Sequence, residues 1–95
     1  MPYYSMDDYN LEGYEKAKAK GKMYNALLKR KLDGKIIKVP FGSMMQNYQD
    51  KTGLNLYPEL IHGDEKRRKN YRARAKGRVK DGFYSASWFS YNMLW

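Results

Sequence analysis

The sequence predicts a mainly α protein, small, irregular and non-compact, with long loops, ordered largely by contacts with partners. Three observations predict it. Leu, Ile, Val and Phe number only 16 of 95 residues beside a net charge of +9, a balance that borders on the disordered class. Against this stand ten Tyr, two Trp and three Phe, rings that disordered chains lack and that suit interfaces as well as cores. The third observation is a basic stretch carrying its own helix start and stop signals, from His62 to Lys80.

That stretch organises the chain. Between Gly63 and Lys80 nine Lys or Arg face two acids, so 9 − 2 = 7 of the nine net charges lie there. Gly63 permits a turn and Asp64 can cap a helix whose first turn holds the acids and whose body holds the bases, an order that suits the helix dipole. Asp64 to Arg68 and Glu65 to Lys69 are i,i+4 acid-to-base pairs. The predicted helix, 64–76, has no apolar stripe, so the expectation is that it lies solvated or against an acidic partner rather than on its own core.

The other elements follow in order. Residues 1–9, rich in Tyr and acidic at Asp7 and Asp8, read as an extended arm ordered by a neighbour. A helix is predicted over 11–32, because Leu11, Tyr14, Ala17, Tyr24, Leu27, Leu28 and Leu32 fall near helical spacing. Gly21 marks a break in it, and Asp33-Gly34 ends it. Lys35 to Val39 reads as a short strand that Pro40 confines to an edge or an end. Ser43 then caps a short helix, 43–50, and Leu54 to Ile61 is irregular. Lys80-Asp81-Gly82 is a turn signal. In the tail, 83–95, six of thirteen residues are aromatic and no side chain is charged. Ser87 is a candidate cap for a last helical turn. Rings in that number leave water, into the fold or into a partner.

Length and composition bound the function. Ninety-five residues make one small domain with a modest core. The absence of Cys excludes disulfides, thiolate metal sites and Cys nucleophiles. The start lacks a signal-peptide pattern and no apolar run reaches the ~20 residues of a membrane helix, so a soluble or peripheral protein is expected. No phosphate loop, nucleophile elbow or suggestive pair of carboxylates stands out. His62, alone, reads as a structural hydrogen-bonder rather than a base or ligand. The chain is therefore expected not to be an enzyme and to take no cofactor or metal. The residues expected to bind a partner are Arg67, Arg68, Tyr71, Arg72, Arg74 and Arg78 on the basic helix and Trp88, Phe89, Tyr91 and Trp95 in the tail.

A spaced pattern runs through the second half: Phe41-Gly42, Tyr48-x-Asp50, His62-x-Asp64-x-x-Arg67-Arg68-x-x-Tyr71-x-x-Arg74, Tyr84-Ser85-Ala86-x-Trp88-Phe89-Ser90 and Leu94-Trp95. It resembles a group of short proteins encoded by large nucleocytoplasmic DNA viruses, including those of algae, with some phage relatives. The resemblance covers 41–95 and leaves 1–40 as an N-terminal arm and helix. Ala75 departs from it, standing where the pattern has a second His. The resemblance implies a virion structural protein, made in the host cytoplasm: a minor capsid protein that bridges or cements major capsid subunits. Its implied partners are the major capsid protein and other minor capsid proteins, with phosphates of an internal membrane as a further counter-surface. The alternative that the same charge serves is a virus-encoded nucleic-acid-binding or DNA-packaging protein using the basic helix.

Overall fold

Residues 9–30 form a β-hairpin, not the expected helix. In the computed structural model, which describes residues 3–44 and 47–95, β1 is Tyr4–Ser5, β2 Tyr9–Lys16, β3 Lys22–Arg30 and β4 Ile36–Ser43. Then come a 3₁₀ turn at Pro58–Leu60, α1 at Glu65–Ala75, a second 3₁₀ turn at Lys76–Arg78, β5 at Phe83–Tyr84 and α2 at Ala86–Phe89. A π-helical stretch, Ser90–Leu94, continues α2. β2, β3 and β4 make an antiparallel meander and β1 pairs with β5 in a two-stranded ribbon.

The hairpin escapes a helical reading because a bulge hides its alternation. Leu11 pairs with Leu28 and Gly13 with Leu27, so Glu12 is the extra residue. The bulge shifts parity and brings Tyr9, Leu11 and Tyr14 to one face of β2. On β3 the matching positions are Tyr24, Ala26 and Leu28, all fully buried. β4 adds Ile37, Val39 and Phe41, which pair with Leu28, Ala26 and Tyr24. This is period two, the mark of a strand. The middle of the opposite face is polar, where Asn25 donates to Glu15 at 3.0 Å and Lys38 reaches Glu15 at 3.0 Å, while Met23 at its end is fully buried. Gly21, at φ +82°, turns the chain between β2 and β3, and the Asp33-Gly34 turn, closed by Arg30 on Asp33 at 2.7 Å, joins β3 to β4. Pro40 sits on β4, an edge strand where a missing N–H costs no ladder bond.

The helical end of the chain lies across the buried face. Phe89 stands at the centre, with ring centroids 5.3 Å from Phe41, 6.0 Å from Tyr14 and 5.5 Å from Tyr84. Phe89 and Leu94 are fully buried with Met23, Tyr24, Leu28 and Phe41. Each such side chain contributes ~1.5–3 kcal/mol by leaving water. The fold is thus α+β with a core of its own, which corrects the expectation of a mainly helical, non-compact chain ordered by partners. Its radius of gyration is 13.3 Å, against about 12.4 Å for a globular chain of this length. Aromatic rings supply the packing that the few aliphatic residues do not. The described part of the N-terminal arm pairs within the chain, with Tyr4 opposite Tyr84 and Ser5 opposite Phe83.

The irregular loop 47–61 is pinned from both sides. Tyr24 donates its hydroxyl to Asp50 at 2.5 Å and accepts from the Leu56 N–H at 3.1 Å. Asn47, buried, donates its side chain to the Ser43 carbonyl at 3.0 Å and bridges to Ile61. The N–H groups of Tyr48 and Gln49 donate to the Leu94 carbonyl at 3.0 Å, which satisfies the end of the π-helical stretch. No described residue of the expected helix 43–50 is helical; Met45 and Gln46 lie outside the described residues.

Candidate functional site

The basic helix forms as its signals require. Asp64 is its N-cap, accepting from the N–H groups of Lys66 at 3.0 Å and Arg67 at 3.3 Å. His62 sets the entry: its Nδ1 accepts from the Asp64 N–H at 2.9 Å, which leaves the ring proton of the neutral form on Nε2. The ring lies 5.2 Å from Trp95 and 6.3 Å from Tyr48. A structural hydrogen bond is what this histidine makes.

The inner face of α1 overturns the expectation that the helix cannot lie on its own fold. Arg68, Tyr71, Arg72 and Ala75 recur at i, i+3, i+4 and i+7, one stripe of a helix. Tyr71 stacks on Trp95 with centroids 4.2 Å apart and planes 12° from parallel. Arg72 lies 4.0 Å over the Tyr91 ring and donates to the Tyr91 carbonyl at 3.1 Å. Arg68 lies 4.9 Å over Tyr48 and donates through Nε to the Trp95 main-chain oxygen at 2.8 Å. Ala75 is buried. The guanidinium is flat and weakly hydrated, so it packs on a ring while its N–H groups satisfy carbonyls. A stripe with no aliphatic residue larger than Ala therefore docks the helix, and a hydropathy reading cannot see it.

Two flanks remain at the surface. At 100° per residue, Arg67 and Arg74 share one flank, with Arg78 of the following turn beside them. Arg67 reaches its own cap, Asp64, at 3.7 Å. Arg74 and Arg78 border a notch of about 120 Å³ floored by Tyr71 and Ala75. Burial holds the Tyr71 hydroxyl above its usual pKa, with Arg78 and Arg74 pulling the other way. The other flank holds Lys66 and Lys69. Lys66, Lys69, Arg74, Lys76 and Arg78 are exposed, and no carboxylate of the described residues lies within ion-pair range of them.

The residues expected to bind a partner thus separate. Phe89 is core. Trp88 packs edge-on to Tyr84 and Phe89 at 5.2 and 5.1 Å. Tyr91 and Trp95 receive the helix, and Arg68, Tyr71 and Arg72 are what they receive. Arg67, Arg74 and Arg78 face outward. Ser85, not Ser87, caps α2, accepting from the Trp88 N–H at 3.1 Å. Sequence reading missed Tyr48, which donates to Glu65 and stacks under Arg68.

Among the described residues no three His, Asp or Glu side chains converge to hold a metal ion, and no helix is long and apolar enough to cross a membrane. No family model, characterised protein or solved structure matches the chain.

Proposed function

We propose that this chain is a docking protein without catalytic function, a minor structural component of a large DNA virus particle, attached to an acidic protein surface by the outer flank of α1. The observation that carries the mode of attachment is the division of the helix. Its ring-stacking Arg residues are committed inward, whereas Arg67, Arg74 and Arg78 lie along one outer flank, where Arg74 and Arg78 border a notch that can take a single carboxylate. Arg is suited to that partner because its planar fork pairs with a carboxylate through two hydrogen bonds. The setting in a virus particle rests on the spaced pattern from Phe41 to Trp95 and on nothing in the geometry.

The pattern residues have a common rationale in the fold. Phe41, Phe89 and Leu94 are core, Asp64 and Ser85 cap helices, and Asp50 holds Tyr24. Arg67 and Arg74 are the members that point outward, which is where a docking protein needs them.

A nucleic-acid-binding role is the competing reading. Tyr71 has one ring face taken by Trp95, so it is committed to packing within the fold, and phosphates are the main contact the flank offers. The deciding experiment is quantitative proteomics of purified, nuclease-treated particles. A fixed copy number that survives nuclease supports the docking role. Loss of the protein with the nucleic acid rejects it.

A further inference from the structure

A hollow lies on the other flank of α1. It measures about 640 Å³ and is lined by Glu65, Lys66, Arg68, Lys69 and Arg72. Four cations and one carboxylate border it, a local charge of 4 − 1 = +3. Like charges three and four residues apart, Lys66 with Lys69 and Arg68 with Arg72, repel one another on a helix. Such an arrangement is destabilising until an anion occupies it.

Two of those cations are fixed in advance. Arg68 is held by the Trp95 main-chain oxygen at 2.8 Å and the Tyr48 ring, and Arg72 by the Tyr91 carbonyl at 3.1 Å and the Tyr91 ring. Each guanidinium has five N–H donors and these contacts leave several. Donors already locked lose little rotamer freedom on binding. Glu65, the one carboxylate, accepts from Tyr48 and lies 3.8 Å from Arg68. Lys66 and Lys69 form the exposed rim and supply mobile charge, while the two Arg form the rigid wall.

We infer that this hollow binds an oligophosphate anion, free or as the phosphate chain of a nucleotide. A single carboxylate would neutralise one of three excess charges. A chain of linked phosphates carries several negative charges over the span of two helical turns and offers the acceptor geometry that locked guanidinium groups fit. The site is separate from the docking flank, which uses Arg67, Arg74 and Arg78, so either reading can fail without the other.

Titration calorimetry with sodium tripolyphosphate on the whole chain, at an ionic strength of ~0.15 M to screen diffuse attraction, tests it. The expected result is saturable one-to-one binding. In a Lys66→Gln/Lys69→Gln double variant the affinity should fall roughly tenfold or more, since charge-assisted contacts are the stronger class of hydrogen bond. A Lys18→Gln/Lys20→Gln variant, which removes the same charge from the exposed β2–β3 turn, should bind as the original chain does. Thermal melts of both variants in buffer check that each is folded. Adenosine triphosphate run beside tripolyphosphate tells the source: equal affinity assigns the site to the bare phosphate chain, and tighter binding to a nucleotide. Absence of saturable binding, or equal loss in the two double variants, overturns the site.

Discussion

At the scale of single residues, the fold depends on positions where one atom decides. Gly42 has φ +86°, and a Cβ there would meet Leu94 Cδ1 at 2.8 Å and Met23 Cβ at 3.1 Å. Gly42→Ala therefore combines left-handed backbone strain with overpacking, and should lower stability by about 2 kcal/mol or more. A urea midpoint that does not move would show that Leu94 yields freely. Buried tyrosines set the alkaline limit. Desolvation by burial pushes Tyr14 up to about 12, with Tyr84 adding to it, and pushes Tyr24 up to about 12 with help from Asp50. Both values exceed the unfolded value near 10. The stability they contribute is fully present below pH ~10 and is lost as pH rises toward 12. Ultraviolet absorbance of tyrosinate and circular dichroism should therefore change together in that window; ionisation of Tyr24 without unfolding would refute the linkage. At this scale the sequence was legible where one residue type has one job. Asp64 caps, Gly63 turns, Pro40 sits on an edge and His62 hydrogen-bonds, each as its chemistry requires.

At the scale of elements, legibility followed from what each signal measures. The basic helix was read nearly to its ends, expected over 64–76 and found at Glu65–Ala75, because capping and charge order are local. The hairpin of β2 and β3 was misread because Glu12 breaks the two-residue period and Tyr24, Leu27 and Leu28 imitate a helical one. Strand pairing is a long-range fact, and a window of ten residues does not contain it. The docking of α1 was illegible for a different reason: its contact face is built from Arg and Tyr, which hydropathy scores as solvent-facing. It makes a sharp prediction. Arg72→Ala removes both the cover over Tyr91 and the donor to its carbonyl, and should cost about 1–3 kcal/mol. Arg72→Lys keeps the charge but not the plane, and should recover only part of that loss. Amide exchange should show the damage confined to α1 and 91–95, with β3 protected as before. Uniform loss of protection would mean that the helix is integral to the core rather than docked upon it.

At the scale of the whole molecule, core and charge are kept apart. The core holds rings from the sheet and from α2, and the cations of α1 lie either over rings at its margin or outward on two flanks. Few aliphatic residues suffice because each ring buries a large surface, and because edge-on ring pairs add to the area term. That separation predicts two unlike classes of variant. Phe89→Ala empties the centre where Phe41, Tyr14 and Tyr84 meet, and should cost ~3–5 kcal/mol, a large share of the stability of so small a domain. Arg67→Ala with Arg74→Ala touches no part of that centre and should leave the thermal midpoint unchanged while weakening attachment to the acidic surface, more so at low salt than at high. Duplex DNA should bind weakly, without sequence preference, and release as salt rises, since only phosphates can meet these flanks. Melting temperature and incorporation into particles must be measured separately on the same variants. If the Arg variants melt early, the outer flank is part of the fold and not a docking surface. If they melt normally and still enter particles at full copy number, attachment runs through some other face, and the division of α1 into an inner stripe and a working outer flank is wrong.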